Sequence, residues 1–171
     1  MQKKTTLEAA TARKYPEPVV LVTTHNPQGG DNVMAVGWTT TVSYKPRMFL
    51  VAIDDAAYTY KLIRKTKQFV VAFPSVQMAK ATLFVGTRHG HKMAKLQEAG
   101  LAVQKASKVH APLLRDAVAN FECKLVSITR PGDCPMIVGK VVAAHENQNR
   151  ALKRLYYWVK KGFVLDGVRP Q

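Results

Sequence analysis

The chain has very little cysteine. Only Cys123 and Cys134 occur in 171 residues, and their separation matches no metal-ligand spacing. Two isolated cysteines exclude a disulfide framework and give no support to a zinc site. The cysteine content therefore agrees with a protein of a reducing compartment.

Acidic residues and long apolar runs are also scarce. The sequence has 11 Asp and Glu against 26 Lys and Arg, and it contains neither a Gly-x-Ser-x-Gly nor an HExxH motif. This scarcity argues against paired-carboxylate, serine-hydrolase and metalloprotease chemistry.

No apolar run approaches the roughly 20 residues of a membrane span, and the first 15 residues lack the apolar core of a signal peptide. We therefore expect a cytoplasmic protein with no membrane partner.

The excess of basic residues gives a formal net charge of +15. Such a charge favours acidic partners, among them nucleic acid, anionic membrane surfaces and phosphorylated cofactors. Lys and Arg are scattered rather than gathered in one tract, which favours a solvated basic surface. A small, non-enzymatic barrel that binds single-stranded nucleic acid through stacked aromatics is the alternative function. Only 8% of the residues are aromatic and no predicted strand carries an aromatic ladder, so we regard nucleic acid as the weaker hypothesis.

An alternating segment over residues 33–43 is the most informative part of the chain. Successive side chains of a strand point to opposite faces, so one face would be bulky and the other small and rich in hydroxyls. Two interpretations are open: the small face is the solvated side of an antiparallel sheet, or it holds a flat ligand close to the backbone at a glycine. The bulky face comprises Met34, Val36, Trp38, Thr40 and Val42, and the small face comprises Ala35, Gly37, Thr39, Thr41 and Ser43.

A predicted helix start follows this segment closely. A turn over 44–47 and a short apolar strand over 48–53 lead to a helix over 58–66, with Asp54-Asp55 as its predicted N-cap. The N-terminus of a helix presents N–H groups and the positive end of the helix dipole, which suit a phosphate. A flat ligand beside a phosphate site indicates a nucleotide-like cofactor.

The remaining patterns predict many strands and a few short helices in one domain. A capping box at Thr5-x-x-Glu8 predicts a helix over 6–14. A helix over 149–160 is predicted to carry an apolar cluster, Tyr156-Tyr157-Trp158, before a short charged tail from Gly162. Two interpretations of this cluster are open: it belongs to the core, or it offers apolar area for a dimer interface. The predicted strands are 18–24, 68–73, 102–107, 118–130 and 136–144, and further helical segments begin at Ser75 and end at Gly100.

Eight short motifs, spread over most of the chain, match family motifs in the same order. Through them the chain resembles the flavin reductase-like, FMN-binding split-barrel family that includes the flavoredoxins. No single motif is as specific as a phosphate-binding P-loop. They are YPEPVVLVTT (15–24), N-x-M-x-x-x-W-T-T-x-V-S (32–43), YTYKLI (58–63), FVVAFP (69–74), GL (100–101), AP (111–112), FECKL (121–125) and GDC…VGKVVAAH (132–145).

The resemblance implies a mainly β fold: a single split-barrel domain over 1–171, antiparallel and Greek-key-like, with a few short flanking helices. It further implies an FMN cofactor, a homodimer with the flavin near the subunit boundary, and a role in electron transfer or flavin/NAD(P)H oxidoreduction with a redox protein or NAD(P)H as partner. The segment 38–43 would lie along the isoalloxazine. No catalytic residue or metal ligand is assigned, and the implied cofactor-binding residues are Asn32, Met34, Gly37, Trp38, Thr39, Thr40, Thr41, Ser43, Tyr58, Thr59 and Lys95.

The sequence departs from the family pattern in three places. Asp54 and Asp55 lie where a phosphate would prefer positive charge, so at least one of them is expected to cap the helix and face away from the ligand. Cys134 stands where reductase members carry the His of a G-D-H motif, which favours a flavoredoxin-like electron carrier or a reductase with an altered donor. In the basic loop over 86–95, the family pattern S-G-R followed by D-K-F is kept only at Gly90 and Lys95. His89 and His91 in this loop have only His110 or His145 as a third ligand candidate, so we reject a metal site there as the leading interpretation.

Overall fold

A computed structural model describes residues 1–90, 93–159 and 163–168. Its helices are α1 (Leu7–Thr11), α2 (Tyr58–Thr66), α3 (Ala79–Gly86) and α4 (Lys95–Glu98), and a 3₁₀ turn over Val76–Met78 leads directly into α3. Its strands are β1 (Glu17–Pro18), β2 (Val20–Thr24), β3 (Asn32–Val36), β4 (Thr39–Tyr44), β5 (Arg47–Ala52), β6 (Gln68–Phe73), β7 (Val103–Gln104), β8 (Leu113–Leu114), β9 (Ala119–Thr129), β10 (Met136–Glu146), β11 (Arg154–Val159) and β12 (Phe163–Val168). The prediction of a mainly β chain with a few short helices is confirmed.

Seven strands form one antiparallel sheet in the order β3-β2-β6-β9-β10-β5-β4. The edge strands β3 and β4 are joined by Gly37 and Trp38 alone. Because two residues span only about 7 Å, the sheet must curl until its two edges approach each other. Irregularities in the β9–β10 register, at Val138/Gly139 and Val141/Ala143, favour this curvature, since bulges bend and twist a strand pair.

The concave side of the curled sheet holds the main apolar core. Val20, Val22, Val51 and Ile63 are fully buried there, in one cluster to which β2, β5 and α2 all contribute. The rings of Phe49, Phe73 and Phe121 pack with centroids 5.0–5.8 Å apart. This core fixes the position of α2 relative to the meeting edges of the sheet.

The prediction of one strand over residues 33–43 is wrong. β3 ends at Val36 and pairs with β2, whereas β4 begins at Thr39 and pairs with β5. The N–H of Ala52 donates to the Trp38 carbonyl at 2.9 Å, which anchors the crossing between the two edges. Alternation continues through the crossing, so the sequence pattern carries no sign of the break.

The predicted helix caps also need correction. Ala57 is the N-cap of α2; Asp54 instead accepts a hydrogen bond from the N–H of Ala56 at 2.8 Å, and Asp55 pairs with Arg130. The cap of α1 is Thr6 rather than Thr5, because the Thr6 Oγ1 accepts from the N–H of Ala9 at 3.2 Å.

The C-terminal region differs most from the prediction. Instead of a helix over 149–160, the structure has the strand β11, and the predicted charged tail contains β12. β1, β11 and β12 form a separate three-stranded sheet. Aromatic and β-branched residues favour strands, and pairing with β1 and β12 outweighs the helix-like spacing of Leu152, Leu155 and Val159.

The other predicted elements are found with small changes in length. β6 and α2 have the predicted bounds, and Gly100 ends the α4 segment with a φ of 64°. The predicted strand over 102–107 is reduced to β7. No helix among the described residues is long and apolar enough to cross a membrane.

Candidate functional site

Three adjoining cavities lie along β3 and the Gly37-Trp38 crossing. The helix-end cavity, about 330 Å³, lies between the start of α2 and the loop after α3. The Cys134 cavity, about 380 Å³, lies between the crossing, the end of β5 and the loop before β10. The Leu83 cavity, about 200 Å³, lies between β3 and α3. Met34 borders the first two cavities, and Gly86 borders the first and third, so together they form one branched groove.

The first turn of α2 forms one wall of the helix-end cavity. Ala57, Tyr58 and Thr59 line it, and no side-chain hydrogen bond from the described residues caps the helix. The positive end of the helix dipole therefore faces this cavity. Arg88 also lines this cavity and is solvent-exposed, which adds positive charge. The Asp54 carboxylate lines the cavity as well, so an anion is favoured at the start of α2 and at Arg88 rather than beside Asp54.

Lys95 forms the base of the same cavity and is only 3% exposed. Its Nζ donates to the carbonyl of Val85 at 2.9 Å and to that of Arg88 at 3.1 Å, which fixes the loop that follows α3. No carboxylate of the described residues forms an ion pair with it. Burial consequently lowers the pKa of Lys95 to about 8. An ammonium has three donors, so one remains for a ligand.

Asn32 lies behind the helix-end cavity rather than in its lining. Its buried Nδ2 donates to Thr59 Oγ1 at 2.9 Å and to Thr24 Oγ1 at 3.3 Å, while its Oδ1 has no partner among the described residues. A Cβ added at Gly90 would collide with this side chain. Asn32 thus positions Thr59 at the start of α2, and Gly90 lets the loop after α3 pass directly over it.

The Cys134 cavity combines backbone, thiol and carboxylate groups. Its lining includes the Gly37-Trp38 crossing, Asp54, Asp133 and Cys134. Burial raises the pKa of the Cys134 thiol, and the nearby Asp133 and Asp54 carboxylates raise it further. Since an ordinary thiol pKa already lies above 7, Cys134 is a protonated thiol at neutral pH and is not a base.

Tyr157 separates the Cys134 cavity from the Leu83 cavity and lines both. Its hydroxyl donates to a carboxylate oxygen of Glu17 at 3.0 Å. Its ring packs edge-on against the ring of Tyr15, with the two centroids 5.4 Å apart. A Cβ added at Gly37 would lie 3.0 Å from the Tyr157 ring. The absence of a side chain at Gly37 therefore makes room for the ring of Tyr157.

The structure brings six of the predicted residues to the lining of the groove: Met34, Gly37, Trp38, Tyr58, Thr59 and Lys95. Asn32 supports the site from behind. The other four lie along the edge strand β4, outside the lining of the three cavities, and their contact with a cofactor stays a prediction: Thr39, Thr40, Thr41 and Ser43.

Sequence reasoning missed Tyr157, Arg88 and Thr82 as lining residues. Tyr157 was assigned to a helix, and only its membership of an aromatic cluster singled it out. Among the described residues, no group of three His, Cys, Asp or Glu side chains is placed to hold a metal ion; His91 lies outside the described residues.

The outer side of β4 is unusually apolar for an edge strand. Trp38, at the start of the row, is 58% exposed, and Val42 and Tyr44 are 46% and 77% exposed. Exposed Thr40 lies between Trp38 and Val42, and the β4–β5 register shifts between Thr41 and Ser43, so the exposed apolar residues are interrupted along the edge. Exposed apolar edges pair readily with another chain.

A curled antiparallel sheet with a groove at its meeting edges defines a small split β-barrel protein. The family model described as flavin reductase like domain matches residues 12–164. The chain belongs to this family, and the resemblance seen in the sequence motifs is confirmed.

Individual relatives agree with this assignment. An uncharacterized protein of Pyrococcus abyssi is 38% identical over 112 residues, which cover 66% of this chain and 64% of that protein. The chain spans less than two thirds of the length of several curated relatives, including this one and a protein of Aeropyrum pernix, of which 53% is covered.

Solved structures confirm the split-barrel fold. The flavoredoxin of Desulfovibrio vulgaris (Miyazaki F) is similar with a TM-score of 0.84 at 21% identity, covering 97% of this chain and 93% of that chain. An FMN-binding protein from Thermus thermophilus, solved with p-hydroxybenzaldehyde, has a TM-score of 0.82 at 22% identity, covering 96% and 95%. Both structures show the same fold as this chain.

Proposed function

We propose that the protein binds FMN across the helix-end and Cys134 cavities and acts in electron transfer or in flavin/NAD(P)H oxidoreduction. The observation that carries this proposal is the presence, in one cavity, of the uncapped start of α2 and of the buried Lys95, which forms no ion pair with a carboxylate of the described residues. A terminal phosphate fits there, and Met34 connects this cavity to the Cys134 cavity, where a flat ring fits beside the Gly37-Trp38 crossing.

FMN is favoured over FAD by the charge at the helix-end cavity. A phosphate monoester carries close to two negative charges at neutral pH, whereas each phosphate of a dinucleotide linkage carries one. Lys95, Arg88 and the start of α2 all line this cavity, so they favour the ligand with the more concentrated charge. The name of the Thermus protein, which describes FMN binding, supports the same choice.

The flavin, when bound, supplies the hydride and electron chemistry, and the protein supplies placement and electrostatics. Lys95, the loop after α3 and Asn32 position the phosphate end. Trp38 and Tyr157 cover the ring end and limit its contact with water. Cys134 provides a neutral thiol rather than an imidazole beside the ring. This difference favours a flavoredoxin-like carrier, whose donor or acceptor is a redox protein, over a direct NAD(P)H reductase.

The same proposal includes a homodimer in the cytoplasm. The exposed row of Trp38, Val42 and Tyr44 on β4 offers apolar area next to the Cys134 cavity, so a second copy seated there would cover the ring end of the groove. Tyr157 supports such an interface less well, because it packs inside the chain against Tyr15.

Titration of the cofactor-free protein with FMN, FAD and riboflavin tests the assignment. Riboflavin shares the ring but lacks the phosphate, so we expect its dissociation constant to exceed that of FMN by at least about tenfold, the effect of losing one charge-assisted hydrogen bond. FAD should bind with intermediate affinity. Quenching of flavin fluorescence measures all three. Equal affinities for FMN and riboflavin would contradict the proposed phosphate site.

A further inference from the structure

Two histidine rings from distant parts of the sequence lie close together outside the three cavities. His25 follows β2, and His110 lies in the loop before β8; their ring centroids are 5.4 Å apart, with the ring planes tilted by 42°. Neither residue lines the helix-end, Cys134 or Leu83 cavity. Both rings are accessible, since the His25 side chain is 32% exposed and His110 is exposed. The proposed flavin site makes no use of this pair.

Hydrogen bonds on either side of the pair hold the two rings at this distance. Thr23 is fully buried, and its hydroxyl donates to the Pro112 carbonyl at 2.6 Å, which ties the end of β2 near His25 to the segment that contains His110. The His110 N–H donates to Gln68 Oε1 at 2.9 Å. The proximity of the two histidines is therefore built into the fold.

The Asp31 carboxylate fixes the orientation of one ring. His25 Nδ1 lies 2.8 Å from Asp31 Oδ1. An ionised carboxylate can only accept hydrogen bonds, so Nδ1 donates, and the Nε2 of a neutral His25 ring keeps its lone pair. Histidines that bind a metal commonly donate their other ring N–H to a carboxylate in this way. His25 thus has the arrangement of a metal ligand.

The distance between the rings suits one shared ion. Zinc–nitrogen bonds in a tetrahedral site measure about 2.0–2.1 Å, which puts the centroids of two imidazoles on the same ion roughly 5 Å apart. The observed 5.4 Å is close to this value. Among the described residues, no third His, Cys, Asp or Glu completes the group, so water would fill the remaining coordination positions.

We propose that His25 and His110 form a binding site for a divalent transition-metal ion, with Zn²⁺ as the probe. Imidazole nitrogen suits zinc, copper and nickel, whereas Mg²⁺ prefers oxygen ligands. The bound ion ties the loop between β2 and β3 to the loop before β8. It should therefore stabilise the folded chain, because it binds the folded state in preference to the unfolded one. The site does not depend on the proposed flavin function.

Isothermal titration calorimetry of the purified, untagged protein at about pH 7.5, above the ordinary pKa of histidine, tests the site. We expect one Zn²⁺ per chain and no binding of Mg²⁺. Asp31→Asn keeps the size of the side chain and removes its charge, so it should weaken zinc binding about tenfold, at the low end of the effect of such carboxylates. His25→Gln and His110→Gln each remove a ligand and should weaken zinc binding further. His89→Gln, in the basic loop, is the matched control and should bind zinc like the wild type.

Thermal unfolding provides a second readout. Zinc should raise the unfolding midpoint of the wild type, and it should not raise that of His110→Gln. This variant keeps the backbone N–H that holds its loop, so it separates the loss of a ligand from a loss of fold. Unchanged zinc affinity in both His25→Gln and His110→Gln would overturn the proposal, and so would an equal loss in His89→Gln. Zinc should bind equally with and without FMN; binding that requires FMN would place the ion at the phosphate and would also overturn the proposal.

Discussion

Lys95 is the single residue that best distinguishes a phosphate site from a solvated basic loop. An exposed lysine gains little from an anion, whereas Lys95 is buried and two of its donors already hold the loop after α3. Its lowered pKa records the cost of burying a charge without a carboxylate partner. A bound phosphate would provide the missing partner.

Lys95→Met should weaken FMN binding by about tenfold to a hundredfold, the usual effect of losing a hydrogen bond to a charged group. The pH dependence provides a second readout. The pKa of Lys95 is about 8 in the folded protein without ligand, so above that pH the binding of a phosphate requires proton uptake. Wild-type affinity should therefore fall between pH 7 and 9, and Lys95→Met should be flat in this range. Fluorescence titration measures both.

Lys80→Met is the matched control, because Lys80 is exposed on α3 and the charge change is the same. It should leave FMN affinity within about twofold, since exposed charges are screened. If both variants weaken FMN binding equally, the loss in Lys95→Met reflects the change in net charge and not the loss of a contact with the phosphate.

Cys134 decides between carrier and reductase. If the neutral thiol at this position limits the reaction with a nicotinamide, the FMN-loaded wild type should be reduced slowly by NADH and NADPH. Cys134→His should raise that rate at least about tenfold, at the low end of what a placed acid or base contributes, while FMN affinity stays roughly unchanged. Anaerobic stopped-flow absorbance provides the rates.

Cys134→Ser is the control for side-chain size and polarity. NADH and NADPH should reduce this variant as slowly as they reduce the wild type. Rapid reduction of the wild type by either nicotinamide would show that the thiol does not mark a carrier. Equal rates in Cys134→Ser and Cys134→His would assign the effect to loss of the thiol rather than to the imidazole.

At the scale of elements, the loop before β8 is held to the sheet by one carboxylate. Glu122 on β9 is fully buried and accepts hydrogen bonds from Ser107, Lys108 and Val109 and from the His145 ring. Burial alone would raise the pKa of Glu122, but the hydrogen bonds, led by those from Ser107, outweigh it and lower the pKa to about 2. The loop therefore depends on the ionised form.

Glu122→Gln should lower the free energy of unfolding by about 2–4 kcal/mol at pH 7, because buried donors lose their charged acceptor. The folded pKa lies below the ordinary value of 4.5, so the stabilisation by Glu122 is complete above pH 4.5 and is lost as the pH falls toward 2. Urea unfolding at pH 7 and pH 3 should show a smaller difference between the two proteins at pH 3. Glu98→Gln, on the exposed face of α4, should match the wild type at both. An equal deficit at pH 7 and pH 3 would contradict an ionised Glu122.

The edge strand β4 provides the element-scale prediction about assembly. Val42→Lys and Tyr44→Lys should convert the proposed dimer to a monomer at micromolar concentration, because a charge on the apolar row would be buried in the interface. Light scattering after gel filtration measures the mass. Val126→Lys, at a 53% exposed position on β9, should remain dimeric. A monomeric wild type that binds FMN would contradict both the interface and its role at the groove.

At the scale of the whole molecule, the sequence predicted most elements and part of the site. Local patterns were enough to predict the bounds of β6 and α2. A buried apolar run extends over the whole of β6, and an amphipathic period extends over the whole of α2. The break at Gly37-Trp38 was not predictable from alternation, because the side-chain pattern of β3 continues into β4 while the hydrogen-bond partners change. The three cavities depend on the curling of the sheet, because curling brings β3 and α3 close to the end of β5 and the loop before β10. Tyr157 lies at two of these cavities because its strand, β11, pairs with β1.

The most direct test of the central claim is the cofactor itself. We expect the purified protein to be yellow, with flavin absorbance, and to release close to one FMN per chain on heating, identified by chromatography against FMN, FAD and riboflavin. FMN as the released flavin would agree with the anion-suited cavity at α2 and Lys95. A colourless protein that stays colourless after incubation with FMN, or one that releases only FAD, would contradict the account.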